Sequence, residues 1–397
     1  MFLSLLQPVR MTARCVRSIS SFRADDLHIT LTDKPKPKPS YDNLPFGGNT
    51  SDHMFEVDYT PAMGWSRPVI RPVEPLQIHP AAKVLHYASE LFEGMKCYRC
   101  VDGKIRMFRP MENLERMERS AVRAGLPPYD RFEFLKVIKK LINIDQEWVP
   151  YSDRCSMYIR PTFIATEPSL GVTQSTDAKL FVIAGPTGPY FKTSMKAIRL
   201  LADPQYVRAW PGGCGAFKMG SNYAPTVAIQ AYAQREHNCQ SVLWLFGDDH
   251  QMTEAGTMNF FVFWTNEAGE QELVTPPLDA GLILPGVTRK SVLELTRQWN
   301  EFKVTEEVIP MGKFIKALNE GRVKEVFGSG TASIVCPVGQ ILYQGQELHI
   351  TDTDDIGELT QRICHDINEI HYYLKPHPWM ESIDIDGDES LRTVTAN

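Results

Sequence analysis

One lysine sits among four glycines in the run Gly212-Gly213-Cys214-Gly215-Ala216-Phe217-Lys218-Met219-Gly220-Ser221-Asn222-Tyr223. Glycine admits backbone shapes and close approaches that other residues forbid, so a ligand can reach such a lysine with little obstruction. If desolvated, the amine loses its proton more readily and can attack a carbonyl to form a Schiff base. An exposed lysine on a glycine-rich loop is the alternative, and the choice depends on what other groups the chain supplies.

A Schiff-base lysine needs an electron sink. Pyridoxal phosphate supplies one, and it asks the protein for an acid facing its ring nitrogen and a cradle for its phosphate. Glu254 follows an apolar strand and a turn, where a carboxylate can keep that nitrogen protonated; a surface acid is the alternative. Two stretches are candidate cradles. Pro285-Gly286-Val287-Thr288-Arg289 opens a helical pattern, whose free N–H groups and dipole attract anions. Gly328-Ser329-Gly330-Thr331 is a glycine-hydroxyl turn after a strand. Neither matches a P-loop or dinucleotide fingerprint, so a nucleotide is not indicated. Arg109, at a strand end before Pro110, can add a fixed positive charge.

Periodicity and turn signals supply the elements that carry these groups. A hairpin turns at Asp102-Gly103. The stretch 112–124 has Leu114, Met117 and Ala121 at helical spacing, with Gly125 as cap, and Asp130 with Glu133 forms a capping box for the next helix. Strands are expected over 156–163 and 179–184, so the first half is α+β. Gly185-Pro186-Thr187-Gly188-Pro189 marks a boundary. Beyond it, helices opening near 224, 286, 313 and 356 alternate with apolar strands in a mixed α/β pattern. The division expected is 1–24 as a targeting segment, 25–40 as a flexible linker on Lys34-Pro35-Lys36-Pro37-Lys38-Pro39, 41–187 as a small α+β domain, 188–203 as a connection, 204–380 as a larger cofactor-binding domain and 381–397 as an acidic tail.

A chain of 397 residues suits two domains, and 43% hydrophobic residues can build sizeable cores. The formal charge of −6 argues against nucleic acid as the main partner. No apolar run is long enough to span a bilayer, so membrane insertion is not expected. Eight scattered cysteines suit a reducing compartment, and Cys97-x-x-Cys100 lacks a second pair at zinc spacing, so no metal is expected. Residues 1–24 hold Arg10, Arg14, Arg17 and Arg23 and no acid, the composition of a mitochondrial transit peptide. That predicts the matrix, or the cytoplasm if translation starts at Met11. The run Asp384-Ile385-Asp386-Gly387-Asp388 resembles half a calcium loop without its closing glutamate and reads as a solvated tail.

Several longer signatures recur together: Leu91-Phe92-Glu93-Gly94-Met95-Lys96, Tyr158-Ile159-Arg160-Pro161, Glu167-Pro168-Ser169-Leu170-Gly171-Val172, Thr253-Glu254-Ala255-Gly256-Thr257-Met258-Asn259, Leu284-Pro285-Gly286-Val287-Thr288-Arg289 and Phe327-Gly328-Ser329-Gly330-Thr331-Ala332, besides the lysine run. On these, residues 41–380 resemble the branched-chain amino acid aminotransferases of mitochondrial type, fold type IV pyridoxal-phosphate enzymes. The resemblance implies two α/β-type domains with the cofactor between them. It implies reversible ping-pong transamination of L-leucine, L-isoleucine and L-valine with 2-oxoglutarate, giving branched-chain 2-oxo acids and L-glutamate. Lys218 would be the Schiff-base and proton-shuttle residue. Glu254 would pair with the ring nitrogen, Tyr223 with the ring hydroxyl, and Thr257 would lie near the ring. Arg109, Val287, Thr288 and Thr331 would hold the phosphate. Phe46, Tyr87, Phe92, Tyr158, Arg160, Val172, Tyr190 and Ala332 would shape the substrate pocket, with Arg160 meeting the distal carboxylate of glutamate. A homodimer is implied, in which Tyr87 and Val172 reach into the partner's site.

Two departures stand out. Where mammalian members carry a CxxC pair after Gly-Thr-Ala, this chain reads Ser333-Ile334-Val335-Cys336, so a thiol–disulfide switch there is not expected. Ala216-Phe217 replaces the usual Asn-Tyr before the lysine. D-amino acid transamination, aminodeoxychorismate lyase activity and a catalytically silent binding relative are the competing readings, and the intact Lys218, Glu254 and Tyr223 count against the last.

Overall fold

Burial at period two builds the first sheet. Along strand Ala178–Thr187, Ala178, Leu180, Val182 and Ala184 are buried, and along Ser156–Ala165, Met157, Ile159 and Phe163 are. The computed structural model describes residues 21–41, 44–188, 196–351 and 356–384, and ten of its strands form this sheet. The order is His28–Ile29, Val69–Pro72, His53–Thr60, Ala178–Thr187, Ser156–Ala165, Met95–Arg99, Ile105–Phe108 and Met380–Ser382, with Gly64–Trp65 beside His53–Thr60 and Glu90–Phe92 beside Ser156–Ala165. Helices Pro110–Ala124 and Arg131–Ile144 share its core through Leu114, Met117, Phe134, Ile138 and Leu141. Gly125, at φ 66°, caps the first helix in the left-handed conformation that its position predicts.

The N-terminal part differs from expectation. Among the described residues packing is already made at Phe22, ahead of Tyr41: Phe22 is 3% exposed and its ring meets those of Phe55, Trp65 and Phe134. The capping box is half made. Asp130 accepts from the Phe132 and Glu133 N–H groups, but the Glu133 carboxylate accepts from the Ala24 N–H at 2.8 Å. The Lys/Pro stretch is not free either. Lys36 donates to the Thr50 and Ser51 carbonyls and to Asp52, and the Lys38 ammonium lies 5.0 Å from the Trp148 ring centre. Residues 1–20, on which most of the targeting segment falls, lie outside the described residues, as do residues 385–397 of the acidic tail.

The second sheet closes on itself. Strands Met258–Thr265, Val323–Gly330, Ile334–Tyr343, Ile198–Ala202, Ser241–Phe246 and Gln251–Ala255 pair in that order, and the last returns to the first. Alternation sorts its faces. Phe260, Val262 and Trp264 join one core with Leu243 and Phe314, whereas Phe261 and Phe263 join another with Val292, Leu295, Ile363 and Ile367 of helices Val287–Trp299 and Glu358–His371. Two placements differ from expectation. Gly185-Pro186-Thr187 continues a strand, because all three residues find partners on Ser156–Ala165. Met380–Ser382 leaves the second unit and pairs with Ile105–Phe108 of the first sheet.

Truncating Phe22→Ala should cost about 3–5 kcal/mol, since it opens a cavity under three aromatic rings. Urea unfolding would show it; an unchanged midpoint would mean that residues before Tyr41 add nothing to the core.

Candidate active site

Helix Pro110–Ala124 turns a polar stripe inward. Asn113, Arg116 and Ser120 are spaced three and four apart and are buried alongside Leu114, Met117 and Ala121. Each reaches a different part of the site. Asn113 Nδ2 donates to Glu93 Oε2 at 2.9 Å and to the Gly94 carbonyl at 3.1 Å. Arg116 clasps Glu93 through Nε and Nη2, at 2.7 and 2.8 Å, and its Nη1 donates to the Pro285 carbonyl at 3.0 Å. Ser120 Oγ accepts from the Lys218 N–H at 3.0 Å.

The glycine run holds Lys218 from both sides. Its carbonyl accepts from the Phe92 N–H at 3.1 Å, and Met219 bridges to Leu91. Asn222 Nδ2 donates to the carbonyls of Cys214 and Phe217, which closes the loop. The ammonium donates to the Tyr223 hydroxyl at 3.0 Å and lies 5.0 Å from the Phe92 ring centre. Arg160 sits over the same ring at 4.6 Å and donates to the Tyr158 hydroxyl at 2.9 Å, while Phe46 packs edge-on against Tyr158 at 4.8 Å. At Gly94 a Cβ would run into the Tyr158 hydroxyl, so any larger residue would displace that ring.

Glu254 forms a second buried pole, 3% exposed. Its Oε1 accepts from the Leu284 N–H at 2.8 Å and from Asn259 Nδ2 at 3.3 Å; Oε2 lies 3.3 Å from Arg208 Nη2. Burial pushes its pKa above the usual carboxylate value, and Arg208, the Leu284 N–H and the charges of Lys218 and Arg116 offset part of that rise. Helix Val287–Trp299 starts at Gly286 without a side-chain cap, and Val287 and Thr288 lie in its first turn, each 7% exposed. Thr331 and Ala332 sit in a turn between strands, and the Ala332 carbonyl accepts from Lys96 Nζ at 3.0 Å. Gly328-Ser329-Gly330 is strand rather than turn, because it pairs with Asn259 and Phe260 on one side and with Ile334, Val335 and Cys336 on the other.

The structure thus brings together Lys218, Tyr223, Phe92, Tyr158, Arg160 and Phe46 through direct contacts. Arg109 is a correction. Its guanidinium donates to Ser291 and Glu294 and stacks over Trp379, so it lies a turn along the helix rather than at its start. The Arg116 guanidinium, buried as well, reaches the Pro285 carbonyl just before that start. Its position in the polar stripe of an otherwise apolar helix face is a signal the sequence carries. Sequence reasoning also misses Asn259 and Arg208, and nothing local marks them. Thr257 is exposed in the turn after strand Gln251–Ala255. Tyr87 donates to the Leu170 carbonyl and Val172 is 81% exposed, so both stand on a surface. Tyr190 lies outside the described residues. Burial pushes the Cys336 thiol up to about 12, which leaves little thiolate to oxidise.

Burial alone would raise the Glu93 pKa, but Arg116, with Lys218 and Asn113, pulls it below the usual value. A lowered folded-state pKa stabilises above the unfolded value near about 4.3 and is lost as pH falls through the folded value. Glu93→Gln leaves Arg116 buried against a neutral amide and should cost about 3–5 kcal/mol at pH 7. Urea titrations should show the gap from the parent narrowing below about pH 4; a gap that does not depend on pH would rule out the ion pair as its cause.

Residues 90–341 match the family model described as amino-transferase class IV. The cytosolic branched-chain-amino-acid aminotransferase of Mus musculus is 55% identical over 90% of this chain and 93% of its own length. The mitochondrial enzyme of Bos taurus is 51% identical over 91% of this chain and 92% of its own. Among solved structures, the branched-chain amino acid aminotransferase of Thermobaculum terrenum in its PLP form superposes with a TM-score of 0.64 at 17% identity, covering 83% of this chain and 98% of that one. The fold is therefore that of the class IV aminotransferases, and the chain belongs to the branched-chain-amino-acid aminotransferase family.

Proposed function

We propose that the protein transfers the amino group of L-leucine, L-isoleucine and L-valine reversibly to 2-oxoglutarate, using pyridoxal phosphate. The observation that carries this reading is the lysine amine held on Tyr223 beside a wall of Phe46, Phe92 and Tyr158 with one guanidinium, Arg160, in it. The residues fit the cofactor. A helix start without a side-chain cap lies next to the buried Arg116 guanidinium, and the Ser329 hydroxyl is buried without a partner nearby. Arg116, Val287, Thr288 and Thr331 would hold the phosphate, Glu254 the ring nitrogen, and Thr257 would lie near the ring.

Pyridoxal phosphate bound there supplies a carbonyl carbon for amine exchange and a ring that withdraws the electron pair left at the substrate α-carbon. The chain's own groups do the rest. Tyr223 fixes the Lys218 Nζ, which would carry the proton between the substrate α-carbon and the carbonyl carbon that the cofactor supplies. Glu254, whose charge Arg208 supports, would favour the charged ring. Phe46, Phe92, Tyr158 and Ala332 enclose a branched aliphatic side chain and exclude water, and Arg160 binds the distal carboxylate when glutamate occupies the same place. One pocket serves both donors because they bind in turn.

A homodimer accounts for the exposed residues. Leu85 and Tyr87, on helix Lys83–Tyr87, and Leu170 and Val172 are large apolar side chains exposed by 59, 37, 64 and 81%. Lys83 fastens the two parts of this patch by donating to Glu167 and to the Thr173 and Gln174 carbonyls. A second copy covers such a patch. The first sheet with its helices, from Phe22 to Thr187 and closed by Met380–Ser382, and the second sheet with its helices, from Ile198 on, act as the two units around the cofactor. The mouse relative is cytosolic and the bovine one mitochondrial; the arginine-rich start favours the matrix here, and a removed segment would end before the packed Phe22.

The purified protein should show a visible cofactor band that L-leucine alone converts, and Lys218→Ala should abolish turnover while keeping the fold. A band that answers a D-amino acid and ignores L-leucine would sink the assignment. Arg116→Gln should weaken cofactor binding at least about tenfold, the loss of a charged contact, with Arg109→Gln near parental; equilibrium titration separates them. Val172→Lys should shift the sedimenting species toward the monomer.

A further inference from the structure

Beside the turn that carries Thr331 and Ala332 lies a cavity of about 20 Å³, lined in part by Lys96, Asn113, Thr288, Thr331, Ile334 and His371. That volume holds one water. His371 ends helix Glu358–His371, is 4% exposed, and has no hydrogen-bond partner for either ring nitrogen among the described residues. Its ring is fixed by stacking on Tyr98 and by the edge of Phe108, both at 4.4 Å. Burial, helped by the Lys96 charge, holds its pKa well below the usual value, so the imidazole is neutral and offers one donor and one acceptor. Leaving both unpaired in a dry interior is costly. Lys96 is 8% exposed and gives one of its three N–H donors to the Ala332 carbonyl.

The turn itself is under strain. Ile334, its exit residue, has φ 65°, a conformation that a β-branched side chain resists. Such a backbone persists only where its surroundings over-determine it.

We infer that the cavity is a water site joining Lys96 Nζ to a His371 ring nitrogen, and that Lys96 and His371 are positioning residues for the 331–333 turn. The turn so held presents Thr331 toward the phosphate and Ala332 toward the substrate side chain. This rests on the function proposed above.

Titration of the apoprotein with pyridoxal phosphate, followed by kinetics with L-leucine, tests it. Lys96→Met should weaken cofactor binding about tenfold, as expected for one charged hydrogen bond, and raise the leucine KM more than it lowers kcat. Lys96→Gln keeps a donor and should recover most of both. His371→Phe keeps the stack on Tyr98 and should shift both quantities the same way, by less. Variants that bind cofactor and leucine like the parent, or that lower only the thermal midpoint of the apoprotein, overturn the inference. If Lys96→Met does not fold, unchanged binding and KM in His371→Phe overturn it alone. A parent chain that binds no pyridoxal phosphate would overturn the function as well, which separates the two failures.

Discussion

A carboxylate and a guanidinium with almost no water around them hold this site in register. Glu93 and Arg116 have side chains exposed by 0 and 4%, and they meet through two short hydrogen bonds. A buried pair of this kind is weak evidence for net stability, because desolvating both charges offsets most of their attraction. Its consequence is geometric. Breaking either half leaves a bare charge in the core, so the two can be buried only together. Glu93 follows strand Glu90–Phe92, Arg116 lies mid-helix, and the third guanidinium arm ends on Pro285, just before helix Val287–Trp299. One ion pair therefore ties the first sheet, its covering helix and the second unit.

The lysine inherits that placement. Ser120, one turn beyond Arg116 on the same helix face, fixes the Lys218 N–H, and Phe92, next to Glu93, fixes its carbonyl. Both ends of the lysine backbone are thus referred to one rigid frame, whereas its amine has a single hydrogen-bond partner among the described residues, Tyr223. An amine with one light anchor on a fixed backbone suits a group that alternates between a covalent and a free state. The charges around it are graded. Glu93 is held ionised by Arg116, and Glu254 is pushed the other way by burial. The site thus holds two buried carboxylates in different settings, one clasped by two nitrogens of a single guanidinium and one beside Arg208 with burial the larger effect.

The walls differ in how firmly they are built. Phe92, Tyr158 and Arg160 stand on strands of the first sheet, and Tyr158 leans across Gly94, where a Cβ would displace it. The 331–333 turn comes from the second unit and crosses to Lys96 of the first. It exits through a strained isoleucine. A wall made of two units is one that their relative placement can adjust, and one that a single substitution in either can loosen.

Much of this was present in the residues. The glycine run around Lys218, the acid after a strand at Glu254, the helix start at Gly286, the cap at Gly125 and the N-cap at Asp130 are local, because each rests on backbone propensities and near-neighbour hydrogen bonds that a short stretch settles by itself. What the stretch left open was where two buried arginines end. Arg109, beside a proline at a strand end, looks better placed than Arg116. Yet its guanidinium ends on Ser291 and Glu294, farther along helix Val287–Trp299, while Arg116 is drawn to Glu93, a residue that nothing in the sequence marks as its partner. The packing of Phe22 and Ala24, the tethering of the Lys/Pro stretch and the return of Met380–Ser382 to the first sheet are of the same kind. Local chemistry determined which residues could act. Long-range burial, which requires each hidden charge and each unpaired strand edge to find a partner, decided which of them stand together.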